Sequence, residues 1–143
     1  MDIEIIQYEP IHAYTILDKD FSNRETWANG WGKEGPAFTL IVDGEIVGCA
    51  GVILMEWNKG GEAWTLLSSL FYKYKKTTFK VIKKGLESII KEKKLKRVQA
   101  FVYEGTEKIC GNFLEHLGFK NETPDGLKYY GPNNETMFIY SRT

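Results

Sequence analysis

Histidine and cysteine are scarce in these 143 residues, two of each, and that scarcity sets the first limits. His12, His116, Cys49 and Cys110 stand singly and far apart, so the paired spacing of a zinc site is missing and no metal is expected. Both cysteines lie in apolar stretches, which suits reduced core thiols better than a disulfide framework and predicts an intracellular, cytoplasmic setting. Net charge is absent as well. Nineteen basic and nineteen acidic residues cancel, so the field of the whole molecule attracts neither nucleic acid nor membrane. Any anion binding has to come from local clusters. No apolar run approaches the roughly 20 residues needed to cross a bilayer, and Met1-Asp2-Ile3-Glu4 lacks the basic start of a secretion signal. Repeats, linkers and low-complexity tracts are missing too.

What is present is core material. With 43% hydrophobic and 14% aromatic residues, the chain can bury the interior of a single domain spanning residues 1–143. The β-rich residues 3–8 open it, and Pro10 suits the first turn of a helix reaching to about residue 17. Ser22-Asn23-Arg24-Glu25 has the form of a capping box for a second helix, which Gly30, Gly32, Gly35 and Pro36 should end. Trp27 and Trp31, four apart, share one face of it, as core or lid packing or as a substrate box. Residues 37–42 and 45–55 flank Asp43-Gly44, a tight-hairpin signature. Gly48 and Gly51 inside the second of these strands predict a bulge or a close backbone approach.

The apolar strand Trp64-Thr65-Leu66-Leu67-Ser68-Ser69 then runs into a basic turn, Tyr72-Lys73-Tyr74-Lys75-Lys76-Thr77-Thr78, and a long helix with Thr77 or Thr78 as its cap. Phe79, Ile82, Leu86, Ile89 and Ile90 recur at helical spacing, with lysines on the other face. A strand feeding a helix N-terminus favours an anion, because the first-turn N–H groups are unpaired and the helix dipole is positive there. The same lysines equally suit a plain solvated face. A strand at residues 98–102 implies a right-handed parallel crossover, so the sheet is mixed. Gly105-Thr106 opens a last helix with Ile109, Cys110, Phe113, Leu114 and Leu117 on one side and Gly118 at its end. A strand at residues 119–122 follows, and two short strands in residues 127–140, joined by Gly131-Pro132-Asn133-Asn134, close the chain.

This order of elements resembles the GNAT acetyltransferase superfamily along the whole chain. Asn112-Phe113-Leu114-Glu115-His116-Leu117-Gly118-Phe119-Lys120 is similar to that superfamily's final-helix signature. The resemblance implies an α/β (α+β) fold: a mixed, mostly antiparallel sheet of about seven strands, helices on both faces, and a splay between the central parallel strands. It implies transfer of an acetyl group from acetyl-CoA, as substrate, to an amine on a small molecule or a protein. A narrower likeness, carried by the strand from Trp64 to Ser69 and by Tyr130-Gly131-Pro132, is to GNAT-like proteins of tailed bacteriophages, some of them virion proteins. It would add virion or homo-oligomer contacts.

On the same resemblance, Leu66, Leu67, Ser68 and Ser69 would hold the acyl arm, Lys73, Tyr74, Lys75, Lys76, Thr77 and Thr78 the pyrophosphate, and Phe113 would join them. Glu104, at the carboxyl end of its strand, is the candidate base, with Glu62 in reserve and Tyr103 as candidate acid. Their ordinary alternatives are a solvated turn carboxylate and a core tyrosine. Three departures weigh against the pattern. The lysine turn has no glycine where the superfamily uses a glycine-rich loop, Glu107 replaces the usual helix asparagine, and Leu114 stands at the frequent general-acid tyrosine. A leucine cannot protonate a leaving thiolate. Two further readings therefore stand beside the enzyme: a GNAT-fold interaction or virion protein without catalysis, and a phosphate-backbone binder using the lysines of residues 73–84. Zero net charge argues against the last.

Overall fold

The computed structural model describes residues 1–18, 24–56 and 59–143. Its elements are β1 (Ile3–Gln7), α1 (Pro10–Tyr14), α2 (Arg24–Lys33), β2 (Ala37–Val42), β3 (Glu45–Met55), β4 (Gly60–Leu67), α3 (Lys75–Lys93), β5 (Arg97–Tyr103), α4 (Asn112–His116), β6 (Lys120–Asn121) and β7 (Met137–Arg142). The strands form one mostly antiparallel seven-stranded sheet in the order β1-β2-β3-β4-β5-β7-β6. Contacts group the chain into two compact units, Met1–Leu54 with Ala63–Lys94, and Met55–Glu62 with Leu95–Thr143.

In the first unit the hairpin forms as its sequence requires. Asp43 and Gly44 have φ of 50° and 81°, the paired positive values of a primed turn. Pairing steps from Leu40↔Gly48 to Ile41↔Ile46, so Val47 is the extra residue of a bulge beside Gly48. A Cβ on Gly48 would lie 3.0 Å from the Leu66 carbonyl oxygen, which is the close approach that glycine permits. Thr39 and Leu40, adjacent in β2, point to opposite faces. The Thr39 hydroxyl meets His12 of α1, whereas Leu40 packs with Val42, Val47 and Val81 of α3, so the unit carries helices on both faces.

Several boundaries differ from expectation. Helix α1 starts at Pro10 but ends at Tyr14, because the N–H groups of Ile16 and Leu17 both turn back to the Ala13 carbonyl. Helix α2 continues through Gly30 and Gly32 to Lys33, its Ala28 fully buried, so packing overrides the glycines' weak propensity. Of the expected capping box, Ser22 and Asn23 lie outside the described residues. Strand β4 starts at Gly60, ahead of Trp64, and ends at Leu67. Neither Thr77 nor Thr78 caps α3, whose N-cap is Tyr74. The reason is a 3-10 turn, Ser69–Tyr72, capped by Ser68, from which the chain passes directly into the helix. The buried side of α3 is Thr78, Ile82, Leu86 and Ile89, with Lys94 in a left-handed C-cap.

In the second unit β4 and β5 pair in parallel through Gly60↔Arg97, Gly61↔Val98 and Glu62↔Gln99. The parallel pairing covers these three residue pairs, while β4 extends to Leu67 and β5 to Tyr103. Strand β7 pairs antiparallel with β5 and β6. The last helix opens with a π turn, Glu107–Gly111, before α4. That wider turn shifts the phase of the apolar stripe. Ile109 is 68% exposed and Cys110 lies at the surface, so Cys110 is not a core thiol, whereas Cys49 is buried. Gly118, at φ 92°, ends α4 as expected. The first of the two closing strands is reduced to a single bridge, Leu127↔Met137, since Tyr129 at φ 58° breaks the extended run. No helix among the described residues is long and apolar enough to cross a membrane.

Candidate active site

In the first unit the carboxyl end of β4 leads into the basic turn. Leu66 and Leu67 are half-buried, and Ser68 is fully engaged. Its N–H donates to the Val47 carbonyl at 2.9 Å, its Oγ donates to the Ile46 carbonyl at 3.0 Å, and the Leu70 N–H donates to its Oγ at 3.2 Å. The Ser68 amide is therefore already paired within the sheet. Ser69 is exposed in the 3-10 turn. Lys73, Lys75 and Lys76 are exposed, and two of them rest on aromatic faces. Lys73 Nζ lies 5.3 Å from the Tyr74 ring and Lys75 Nζ 5.4 Å from the Tyr72 ring. Tyr74 is half-buried against the cluster of Leu40, Val42 and Val47.

The start of α3 is bare. No side chain among the described residues caps it and no acidic residue occupies its first turn, so its first amides stand uncapped at the positive end of a 19-residue helix. The Thr78 N–H is already bonded to the Tyr74 carbonyl at 2.9 Å. Thr78 is 1% exposed, and its hydroxyl has no hydrogen-bond partner among the described residues.

Beneath the same strand is an aromatic stack with no sequence signature. Trp64 stacks on Trp31 at 4.8 Å and 14°, Tyr8 meets Trp64 edge-on at 5.3 Å, and Trp27 tilts against Trp31 at 6.0 Å. These residues are distant in sequence, so only the Trp27/Trp31 pair was readable in advance. Burial pushes the Tyr8 phenol's pKa up, and its hydroxyl donates to the Ala28 carbonyl at 2.8 Å. Trp64 Nε1 is buried without a hydrogen-bond partner among the described residues. His12 is consumed structurally: the Glu9 N–H donates to its Nδ1 at 3.0 Å, and Thr39 Oγ1 lies 2.8 Å from the same atom.

The second unit holds the candidate acid and bases. Glu62 ends the parallel ladder opposite Gln99, half-buried, and burial pushes its carboxyl pKa up. Glu104 is exposed and clamped: its N–H donates to the Thr136 carbonyl at 2.9 Å, and its Oε1 accepts the Thr136 N–H at 3.1 Å. Tyr103 is 47% exposed, and its carbonyl accepts from the Thr106 hydroxyl at 2.6 Å. Phe113 and Leu114 are half-buried in α4, and Glu107 Oε1 accepts the Gly105 N–H at 3.0 Å. Tyr140 is buried, its hydroxyl so near Gly111 that a Cβ there would lie 2.5 Å away.

The fold is that of the GNAT acetyltransferases, and solved structures similar to it are themselves acetyltransferases. A GNAT-family acetyltransferase from Streptococcus pneumoniae matches with a TM-score of 0.72 at 11% identity, covering 99% of this chain and 98% of that one. A ribosomal-protein alanine N-acetyltransferase from Escherichia coli matches at 0.77 and 14%, covering 99% and 93%. A mutant of spermidine N-acetyltransferase from Vibrio cholerae matches at 0.74 and 12%, covering 97% and 92%. Identities this low carry the fold and not the roles of single residues. No family model and no curated protein matches the sequence.

Proposed function

We propose that residues 1–143 form one N-acetyltransferase domain, moving an acetyl group from acetyl-CoA to an amine in the cytoplasm. The observation that carries this reading is the likeness, over 97–99% of the chain, to enzymes described as acetyltransferases, two of them as N-acetyltransferases. The bare first turn of α3, flanked by Lys73, Lys75 and Lys76, supports an anionic donor there. Its amides take the place of the missing glycine-rich loop, and the lysines supply charge.

The amine must lose a proton as it attacks the thioester carbonyl, and the leaving thiolate must gain one. Glu62 suits the base better than Glu104. A carboxylate whose pKa is pushed towards neutrality accepts a proton more readily, whereas Glu104 is held by Thr136. Tyr103, with an exposed side chain, is the candidate acid in place of Leu114. The acceptor is an amine on a small molecule or a protein; similar folds include enzymes described as acting on spermidine and on a ribosomal-protein alanine. Two free cysteines suit a reducing compartment. These neighbours add no support to the bacteriophage likeness or to loss of catalysis.

The test is calorimetry with acetyl-CoA, followed by thiol release with spermidine and with an alanine-first peptide as acceptors. Saturable heat and acceptor-dependent thiol are expected. Absence of heat would sink the reading.

A further inference from the structure

The outermost strand of the sheet is unprotected. Natural sheets blunt their edges with proline, lysine or bulges, yet β1 reads Ile3-Glu4-Ile5-Ile6-Gln7, with all five residues exposed and no strand beyond it among the described residues. Ile3 and Ile5 are 42% and 57% exposed. The hydrogen-bond phase is fixed at both ends. Asp43 N–H donates to the Asp2 carbonyl and Tyr8 N–H donates to the Ala37 carbonyl, so the even-numbered residues bond β2 and, by the alternation of an antiparallel ladder, the N–H and C=O of Ile3, Ile5 and Gln7 point outward.

Beside this edge, in the same unit, lies a groove of about 480 Å³ whose apolar lining includes Ile5, Phe38, Val81 and Ile89 and whose charged lining residues are Lys80 and Lys84. Outward main-chain groups call for another peptide backbone, and successive side chains of an added strand point to opposite faces: on the groove side they meet Lys80 and Lys84, which call for carboxylates, and on the other side Ile6, 36% exposed, which calls for aliphatic side chains. We propose that β1 docks an extended segment of another protein by strand addition, a segment that alternates aliphatic and acidic residues. A second copy of this chain fits less well: pairing β1 with itself about a two-fold axis through the sheet would set the lysine-rich α3 helices side by side, like charge against like.

The probe is a fluorescent heptapeptide of alternating glutamate and valine, with its lysine and valine counterpart as control, titrated against the full chain by anisotropy. Saturable binding of the acidic peptide alone is expected. Ile5→Pro removes an outward N–H and leaves the β2 ladder intact, as proline on an edge strand can; it should weaken binding by about tenfold. Lys80→Gln with Lys84→Gln, both on the exposed side of α3, should weaken it by about two- to tenfold and flatten its salt dependence. If Ile5→Pro fails to fold by circular dichroism, the lysine pair decides. Equal binding of the two peptides, no binding of the acidic one, or affinity unmoved by the variants would overturn the proposal. So would a dimer in sedimentation equilibrium that Ile5→Pro dissolves, since the edge would then belong to a second copy.

Discussion

Replacing Glu62 with glutamine should move activity and stability in opposite directions. The substitution keeps the shape of the side chain and removes its basicity. If Glu62 is the base, turnover falls by about 10²–10⁴-fold, which corresponds to about 2.7–5.4 kcal/mol of barrier. Stability follows from burial. Glu62 sits half-buried opposite Gln99, and desolvation raises its pKa above the unfolded value of 4.5. A group whose folded pKa is raised stabilises the fold fully below the unfolded pKa and loses that contribution as pH rises through the folded value. At neutral pH the wild-type charge is a cost that glutamine does not carry. Calorimetric melting should therefore show the variant's Tm matching wild type near about pH 4 and exceeding it increasingly towards about pH 7. Thiol release followed over the same range should show a wild-type kcat/KM limb that rises with pH, and the variant should lack it. Turnover within about threefold of wild type, far below the expected loss, would exclude Glu62 as base. A Tm that drops at neutral pH would refute the desolvation argument by itself.

Three further outcomes are expected. Lys75→Ala with Lys76→Ala should weaken acetyl-CoA binding by about 0.3–1 kcal/mol per charge, and less at high salt; unchanged calorimetric affinity would remove the pyrophosphate from the start of α3. Gly51→Ala and Gly30→Ala should shift thermal unfolding oppositely: a Cβ at Gly51 meets the Pro36 carbonyl oxygen at 2.7 Å, costing about 1–3 kcal/mol, whereas at Gly30, in α2 with nothing within 4 Å, alanine should add about 0.5–1 kcal/mol. Shifts of the same sign would contradict the packing. Thr78→Val should raise stability by about 1 kcal/mol, because the hydroxyl it removes is buried and unpartnered, and a lower denaturation midpoint would reveal a partner for it.

Local chemistry made some elements legible in the sequence. Asp43-Gly44 determines its turn because both residues accept positive φ at low cost. Pro10 opens α1, Gly118 closes α4, and the spacing of Ile82, Leu86 and Ile89 gives the buried side of α3. The order of strands and helices was enough to imply the mixed sheet. Gly48 and Gly51 were legible as close approaches, since a glycine weakens a strand interior and is retained where a neighbouring backbone leaves no room for a side chain.

Only tertiary structure decided the rest. The start of α3 moved from the threonines to Lys75 because a 3-10 turn, tied by Ser68 to Ile46 and Val47, set the phase of the helix. Those partners are more than 20 residues away, beyond any local signal. The π turn at Glu107–Gly111 brought Cys110 and Ile109 to the surface, although their spacing read as buried. The unequal standing of Glu62 and Glu104 was invisible for the same reason: burial and the Thr136 clamp belong to the neighbours of a carboxylate, and its own residue type says nothing of them. Side-chain spacing fixes which face a residue takes within its own element, but the surroundings of that face are set by chain brought from elsewhere.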